Sequence, residues 1–272
     1  MNTKRRNHPL LGIHSLLVMI FIYVPIAFII AYSFNSSRLA ADWSGFTLDW
    51  YVSLFNNRRV MEALGNTLTV AITATVVATL LGTLAALYMG KVGRKTKAGV
   101  GGLLYLPIII PDIIMGLSLL VLFTQFHIPL GKLTIIIAHI TFCISYVYVI
   151  VSTRLAGMGG QLEEAAQDLG ANGWQTFRYV TLPQITPGII SGALIAFTMS
   201  LDDFMVSFFV SGPSSTTLPI YIYGQVKRGI SPEINALCTL LIIVSITLIF
   251  LAQFVLNRGK GKGQKKQSVL PF

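Results

Sequence analysis

Residues 66–90 read NTLTVAITATVVATLLGTLAALYMG, and this stretch carries no charged side chain. An α-helix needs about 20 apolar residues to cross the hydrocarbon core of a bilayer, so the stretch is long enough to span one. Its apolar residues are continuous rather than alternating, which excludes a transmembrane β-strand. Ala74, Ala78, Gly82 and Ala86 recur every fourth residue and predict one helix face that a second helix can approach closely.

The whole chain shares this apolar character. Of its 272 residues, 54% are hydrophobic and only 11% are charged, whereas a soluble domain usually has about 25% charged residues. This composition excludes a disordered chain and a coiled coil, and it indicates an integral membrane protein. The two cysteines, Cys143 and Cys238, both lie in apolar runs, so neither a disulfide framework nor a cysteine metal site is expected.

Six apolar runs predict an all-α, polytopic membrane protein built as a single transmembrane domain over residues 1–272. The predicted spans cover residues 12–34, 66–90, 98–126, 133–152, 188–210 and 234–256. The first span follows a basic segment as a signal peptide would. Its apolar core is too long for one, and no small-residue cleavage site follows it, so we interpret it as an uncleaved helix.

The distribution of basic residues predicts the orientation of the spans. If the N-terminus lies inside, 14 of the 20 lysines and arginines fall on the inner side and 6 on the outer side. This bias places both termini in the cytoplasm. It also accounts for the net charge of +10 without a nucleic acid partner, because the basic tail over residues 257–272 can contact anionic membrane lipid.

The longest inner loop, residues 154–186, has a pattern of its own. The helix-favouring run from Gln161 to Leu169 is followed by Gly170, which suits a left-handed helix cap. A second short helix is expected to begin after Asn172 as N-cap and to end at Leu182-Pro183, before Thr186-Pro187 starts the fifth span. The loop should therefore present two short helices on the cytoplasmic face.

The spacing within this loop resembles the EAA loop of the permease subunits of ABC importers. The residues that carry the resemblance are Glu164, Ala165, Ala166, Gly170, Val180, Leu182 and Pro183. The family most often has isoleucine at the position of Val180. The resemblance implies the fold of a type I ABC importer permease. It also implies a loop that docks as a coupling helix on a cytoplasmic ATPase, which binds ATP and Mg²⁺ in place of this chain.

Motifs along nearly the whole chain resemble permease subunits of the PotC type, found in bacterial spermidine/putrescine importers. The main ones are Pro111-Asp112, His139 to Cys143, Leu201-Asp202-Asp203, Ser211-Gly-Pro213 and Ser231 to Leu237. This resemblance implies a polyamine substrate and a location in the bacterial inner membrane. The partners that it implies are an ATPase dimer, a second homologous permease and an external solute-binding protein.

Three aspartates lie inside predicted spans: Asp112, Asp202 and Asp203. An ionisable residue at the centre of a bilayer costs about 2.5–3.5 kcal/mol on insertion scales, so these side chains are not expected to face lipid. A passage for a polycation would favour carboxylates and aromatic faces, which makes the three aspartates, Tyr221 and Tyr223 candidate pathway residues. Internal hydrogen bonding of the aspartates and anchoring of the tyrosines at the membrane interface are the structural alternatives. His139 is interpreted as a hydrogen-bond partner between helices.

The sequence does not support chemistry on this chain. Gly131-Lys132 is followed by Leu133 and lacks the glycine pattern of a phosphate-binding loop, and neither an H-E-x-x-H nor a G-x-S-x-G motif occurs. We therefore expect a permease without a cofactor. The alternatives are a permease for another small solute and an ion-coupled secondary carrier, which could also use intramembrane aspartates but would not need the EAA loop.

Overall fold

The computed structural model describes residues 9–37, 42–229 and 231–258, and all regular elements in these ranges are helical. The helices are α1 (Pro9–Tyr32), α2 (Asp49–Asn56), α3 (Arg58–Lys91), α4 (Arg94–Ile109), α5 (Asp112–Gln125), α6 (Lys132–Ala156), α7 (Gln161–Asp168), α8 (Gly173–Thr176), α9 (Leu182–Asp202), α10 (Met205–Val210), α11 (Leu218–Val226) and α12 (Pro232–Arg258). A π-helical turn, Phe177–Thr181, joins α8 to α9. Of the predicted basic tail, residues 259–272 lie outside the described ranges.

Five helical segments of the described chain are long and apolar enough to cross a membrane, and α4 with α5 would supply a sixth. These two helices meet at an angle of 106°, so the continuous third span expected over residues 98–126 is a bent pair. The bend has a local cause. Pro111 lacks an N–H group and disfavours helical geometry at the residue before it, and Ile110 is extended, with φ −71° and ψ 130°.

The chain divides into two units. One contains the residues up to Met61 together with Ile222–Val244, and the other contains Glu62–Tyr221 together with the residues from Ser245 onward. In the first unit, the segment after α1 folds back on itself around the buried Asn35. Its side chain donates to the Asp42 carbonyl at 2.8 Å, and its own carbonyl accepts from Trp50 Nε1 at 2.7 Å.

The core of the second unit lies between α3, α6 and α9. The predicted small-residue face of α3 is confirmed, because Ala74, Ala78 and Ala86 are at most 1% exposed. At Gly82 the neighbouring helix comes so close that an added Cβ would lie 2.8 Å from Val147 Cβ. The α6 backbone at Val147 approaches Gly192 of α9 in the same way, at 3.3 Å from an added Cβ.

A Gly82→Ala substitution tests this close packing. The added methyl group has no room beside Val147, so α3 and α6 must move apart, and we expect a loss of stability of about 1–3 kcal/mol. The measurement is the thermal midpoint of the purified protein in detergent. Gly65→Ala, on the same helix with nothing within 4 Å of an added Cβ, is the control and should leave the midpoint unchanged. Equal midpoints for the two variants would contradict the packing.

The inner loop follows one part of its prediction and departs from another. Gly170 is left-handed, with φ +87°, and Asn172 caps α8 by accepting from Gln175 N at 2.9 Å, so both predicted caps are confirmed. The predicted end at Leu182-Pro183 is wrong, because the helix continues from Gly173 to Asp202. Pro183 lies in the first turn of α9, and the π-helical turn before it lets Leu182 N bond to Phe177 O, which carries the chain past the proline.

The fifth span is interrupted near its C-terminal end. Helix α9 ends at Asp202 and α10 begins at Met205, so residues 188–210 do not form the continuous helix that the apolar run predicted. Asp203 is extended, with φ −63° and ψ 122°. The break therefore separates the two adjacent aspartates by a change in backbone direction.

Candidate functional site

Asp203 caps the short helix that follows the break. Its carboxylate accepts from Ser207 N at 2.8 Å and from Val206 N at 3.3 Å. These amides belong to the first turn of α10, which has no intrahelical acceptor for them. The side chain of Asp203 is only 8% exposed, so its carboxylate lies in the interior of the protein.

His139 of α6 lies beside this carboxylate and is 1% exposed. Its Nε2 is 3.2 Å from Asp203 Oδ2 and 2.9 Å from Ser207 Oγ, and its Nδ1 is 2.7 Å from Ser200 Oγ. A carboxylate only accepts hydrogen bonds. In the neutral ring Nε2 therefore carries the proton, and Nδ1 accepts from the Ser200 hydroxyl. The prediction that His139 is a hydrogen-bond partner between helices is confirmed, and its partners lie on both sides of the break.

Asp202 is in a different environment although it is the next residue. Its side chain is exposed, as is that of Asp112 at the first residue of α5. The hydroxyl of Tyr146, a half-buried residue of α6, is close enough to both carboxylates to interact with them electrostatically. The structure thus leaves Asp112 and Asp202 exposed, whereas it places Asp203 in the His139 network.

Tyr146 was not predicted as a site residue. Seven residues, or two helical turns, separate it from His139, so both lie on the same face of α6. That periodicity was the available signal in the sequence. The seven-residue spacing alone could not identify Tyr146, because the sequence does not show that this face of α6 packs beside α9 and α10.

Each of the two candidate tyrosines of α11 has a contact within its own segment of the chain. Tyr221 is half-buried, and its amide donates to the Thr217 carbonyl at 2.9 Å. Tyr223 is 38% exposed and has Lys227 Nζ 4.7 Å from its ring centroid. This is a cation–π geometry, so the ring accepts an ammonium group from its own chain.

The predicted coupling residues lie on an exposed surface. Glu164 and Ala165 of α7 are exposed and Ala166 is half-buried, while Leu182 is half-buried and Pro183 exposed at the start of α9. Large apolar side chains of the same loop are also exposed to solvent: Leu162 is 55% exposed, Leu169 90% and Trp174 69%.

Two hydrogen bonds connect parts of the loop over residues 154–186 that are distant in the sequence. Glu163 Oε1 accepts from the Thr181 hydroxyl at 2.5 Å, and Arg154 Nε donates to the Gln184 carbonyl at 3.0 Å. These bonds tie α7 and the end of α6 to the segment that leads into α9.

Comparison with known proteins supports the sequence resemblance. Residues 78–262 match the family described as binding-protein-dependent transport system inner membrane component. The chain is 42% identical over 252 residues to the putrescine transport system permease protein PotI of Escherichia coli (strain K12), covering 90% of each chain. It is 42% identical over 243 residues to the spermidine/putrescine transport system permease protein PotC of the same strain, covering 89% of this chain and 92% of the relative.

Solved structures share the fold. A bacterial alginate ABC transporter, in complex with a periplasmic protein that holds an alginate pentasaccharide, matches with a TM-score of 0.69 at 20% identity. It covers 92% of this chain and 93% of that chain. The methionine ABC transporter MetNI in an inward-facing conformation matches with a TM-score of 0.60 at 19% identity, over 79% of this chain and 99% of that chain. At such identities the match concerns the fold, and it confirms the predicted permease architecture.

The family match covers more than half of the chain, and the relatives are similar over about nine tenths of it. The predicted resemblance to ABC importer permeases is confirmed, and with it a multi-pass inner membrane protein that is the transmembrane component of its importer and not the ATPase. The chain therefore belongs to the family of inner membrane components of binding-protein-dependent transport systems.

Proposed function

We propose that this permease imports polyamines, spermidine or putrescine, which an external solute-binding protein delivers. The observation that carries the proposal is the pair of exposed carboxylates, Asp112 and Asp202, in otherwise apolar helices, together with the half-buried ring of Tyr146 on α6. Two carboxylates and an aromatic ring offer an ammonium group both charge neutralisation and a cation–π face. An anionic solute would be repelled by the same group. The names of the two relatives, which specify putrescine and spermidine, agree with this chemistry.

The other pathway candidates have separate roles in this proposal. Asp203 belongs to the pathway only indirectly, because its carboxylate is occupied by α10 and His139. Tyr221 and Tyr223 offer further aromatic faces to the substrate. The intramolecular contact of Lys227 with Tyr223 supports this role, since a primary ammonium on a four-carbon chain resembles one end of putrescine.

The inner loop is the proposed connection to ATP hydrolysis. Residues 154–186 dock on one subunit of an ATPase dimer through Glu164, Ala165 and Ala166. Gly170 ends the docking helix, and Leu182-Pro183 leads into the fifth span. The exposed Leu162, Leu169 and Trp174 supply apolar surface that a soluble partner would cover.

The remaining partners follow from the transport cycle. A second, homologous permease completes the pathway, and both termini of this chain lie in the cytoplasm. There the basic tail contacts anionic lipid rather than nucleic acid. In this arrangement the whole chain is one transmembrane domain, with ATP and Mg²⁺ bound by the ATPase.

The test is stimulation of ATP hydrolysis by a panel of solutes. The complete importer is reconstituted with its binding protein, and hydrolysis is measured with spermidine, putrescine, an amino acid or an acidic sugar. We expect stimulation by the two polyamines. Stimulation by one of the other solutes, with none by polyamines, would overturn the proposal in favour of a permease for that solute.

A further inference from the structure

The break in the fifth span is held by a buried polar network that the transport proposal does not use. His139 contacts Ser200 in the last turn of α9, Asp203 at the break and Ser207 in α10. All three hydrogen-bond partners on these segments are buried or nearly so, and Ser207 is fully buried. One side chain of α6 is thus bonded to the residues before, at and after the interruption.

Physical chemistry explains why such a network is needed. Where a helix is interrupted at membrane depth, the freed backbone groups find no water, so the protein itself must supply their partners. Asp203 satisfies two amides of α10, and the imidazole contacts Asp203 in turn. The geometry of the break therefore depends on the position of the His139 ring.

The break also determines where Asp202 points. Asp202 is the last residue of α9, directly before the extended Asp203, and its side chain is exposed while that of Asp203 is 8% exposed. We propose that His139 is a positioning residue for the transport pathway. By holding Ser200, Asp203 and Ser207, it fixes the interruption that directs the Asp202 carboxylate toward the substrate. This inference rests on the proposed function, in which Asp202 contacts the polyamine.

Asp203 acts in the same network. Its carboxylate accepts two backbone amides and has the imidazole at 3.2 Å, so its bonding capacity is used within the protein. A substrate ammonium that reached it would have to displace these partners. The two adjacent aspartates thus have different roles: Asp202 faces the solute and Asp203 holds the backbone that carries Asp202.

The experiment compares transport kinetics of variants in the complete reconstituted importer. His139→Leu, Asp202→Asn and the double variant are assayed for spermidine uptake per assembled complex over a range of concentrations. We expect each single variant to raise KM by roughly three- to tenfold. The double variant should have the KM of Asp202→Asn alone. Once residue 202 carries no charge, moving its side chain costs no further attraction for the substrate. His139→Gln, which keeps a donor within reach of Asp203, should have a KM closer to that of the unmodified protein.

Cys143→Ala is the matched control. Cys143 lies one turn further along α6, is fully buried and has its Sγ 3.4 Å from the carbonyl of Ala196, six residues before the end of α9. This variant also loses a contact between α6 and α9, so it is expected to lower the yield of complex at an unchanged KM. If His139→Leu does not assemble, Ser200→Ala serves as the second variant, because it removes only the partner of His139 Nδ1. We expect Ser200→Ala to raise KM as well, by a smaller factor than His139→Leu.

The outcomes separate the two proposals. If Asp202→Asn raises KM but the assembled His139 and Ser200 variants keep the normal KM and differ only in yield, the positioning role is overturned and the proposed function stands. If the increase in KM of the double variant equals the product of the two single increases, the positioning role is also overturned. A normal KM for Asp202→Asn would overturn the substrate contact itself, and the inference with it.

Discussion

Asp202→Asn is expected to lower spermidine uptake at low substrate concentration by roughly fivefold per assembled complex, while basal ATP hydrolysis persists. Asparagine preserves the size of the side chain, so the change removes charge and little else. A carboxylate and an ammonium 4 Å apart attract by about 4 kcal/mol at an effective dielectric constant of 20. Asp202 is exposed, so solvent screening reduces this to about 1 kcal/mol, which corresponds to a factor of about five.

The measurement is initial uptake of labelled spermidine by vesicles, divided by the amount of assembled complex. Asp49→Asn provides the control, because it makes the same change of charge at an exposed position of α2, a helix outside the predicted spans. It should transport normally. Normal uptake by Asp202→Asn at both low and high substrate would remove Asp202 from the pathway and leave Asp112 or the second permease as the better candidate.

Gly170→Val is expected to separate ATP hydrolysis from transport, with loss of most substrate-stimulated hydrolysis. Gly170 has φ +87°, a region that a β-branched residue rarely adopts, and no atom lies within 4 Å of an added Cβ. The effect therefore comes from the backbone, which must change direction directly after α7. That change would move Glu164 and Ala165 away from the surface they present to the ATPase.

Two variants isolate this cause. Gly170→Asn should retain most of the coupling, because asparagine tolerates the left-handed conformation at a helix end. Gly93→Val places the same side chain at another glycine directly before a helix, α4, where φ is −65° and nothing lies within 4 Å of an added Cβ. The measurements are co-purification of the ATPase and hydrolysis with and without substrate. Full co-purification and full stimulation in Gly170→Val would contradict the coupling role.

The features that the sequence predicts well are those with local causes. Apolar runs locate the spans because the bilayer demands a fixed length of hydrocarbon-compatible helix. The caps at Gly170 and Asn172 follow from backbone preference and from a side-chain acceptor three residues before its donor. The close approach at Gly82 follows from the spacing of small residues on one face.

The breaks in the two interrupted spans could not be predicted from the sequence alone. Apolar character is the same on both sides of Pro111 and of Asp203, so hydropathy continues through each break. At the break, Asp203 contacts His139, which is 64 positions away in the chain and reaches it only through the packing of α6 on α9 and α10. The same long-range packing gives Asp202 and Asp203 different environments, so the sequence alone did not rank the aspartates.

In the proposed function, this permease moves polyamines at the expense of ATP. The most direct measurement is uptake of labelled spermidine and putrescine by the complete importer in sealed proteoliposomes. ATP is supplied on the side of the ATPase and the binding protein on the other side, with and without a proton gradient. We predict uptake that requires ATP and the binding protein and that continues when the gradient is dissipated. Uptake driven by the gradient without ATP, or ATP-dependent uptake of another solute with none of either polyamine, would contradict the claim.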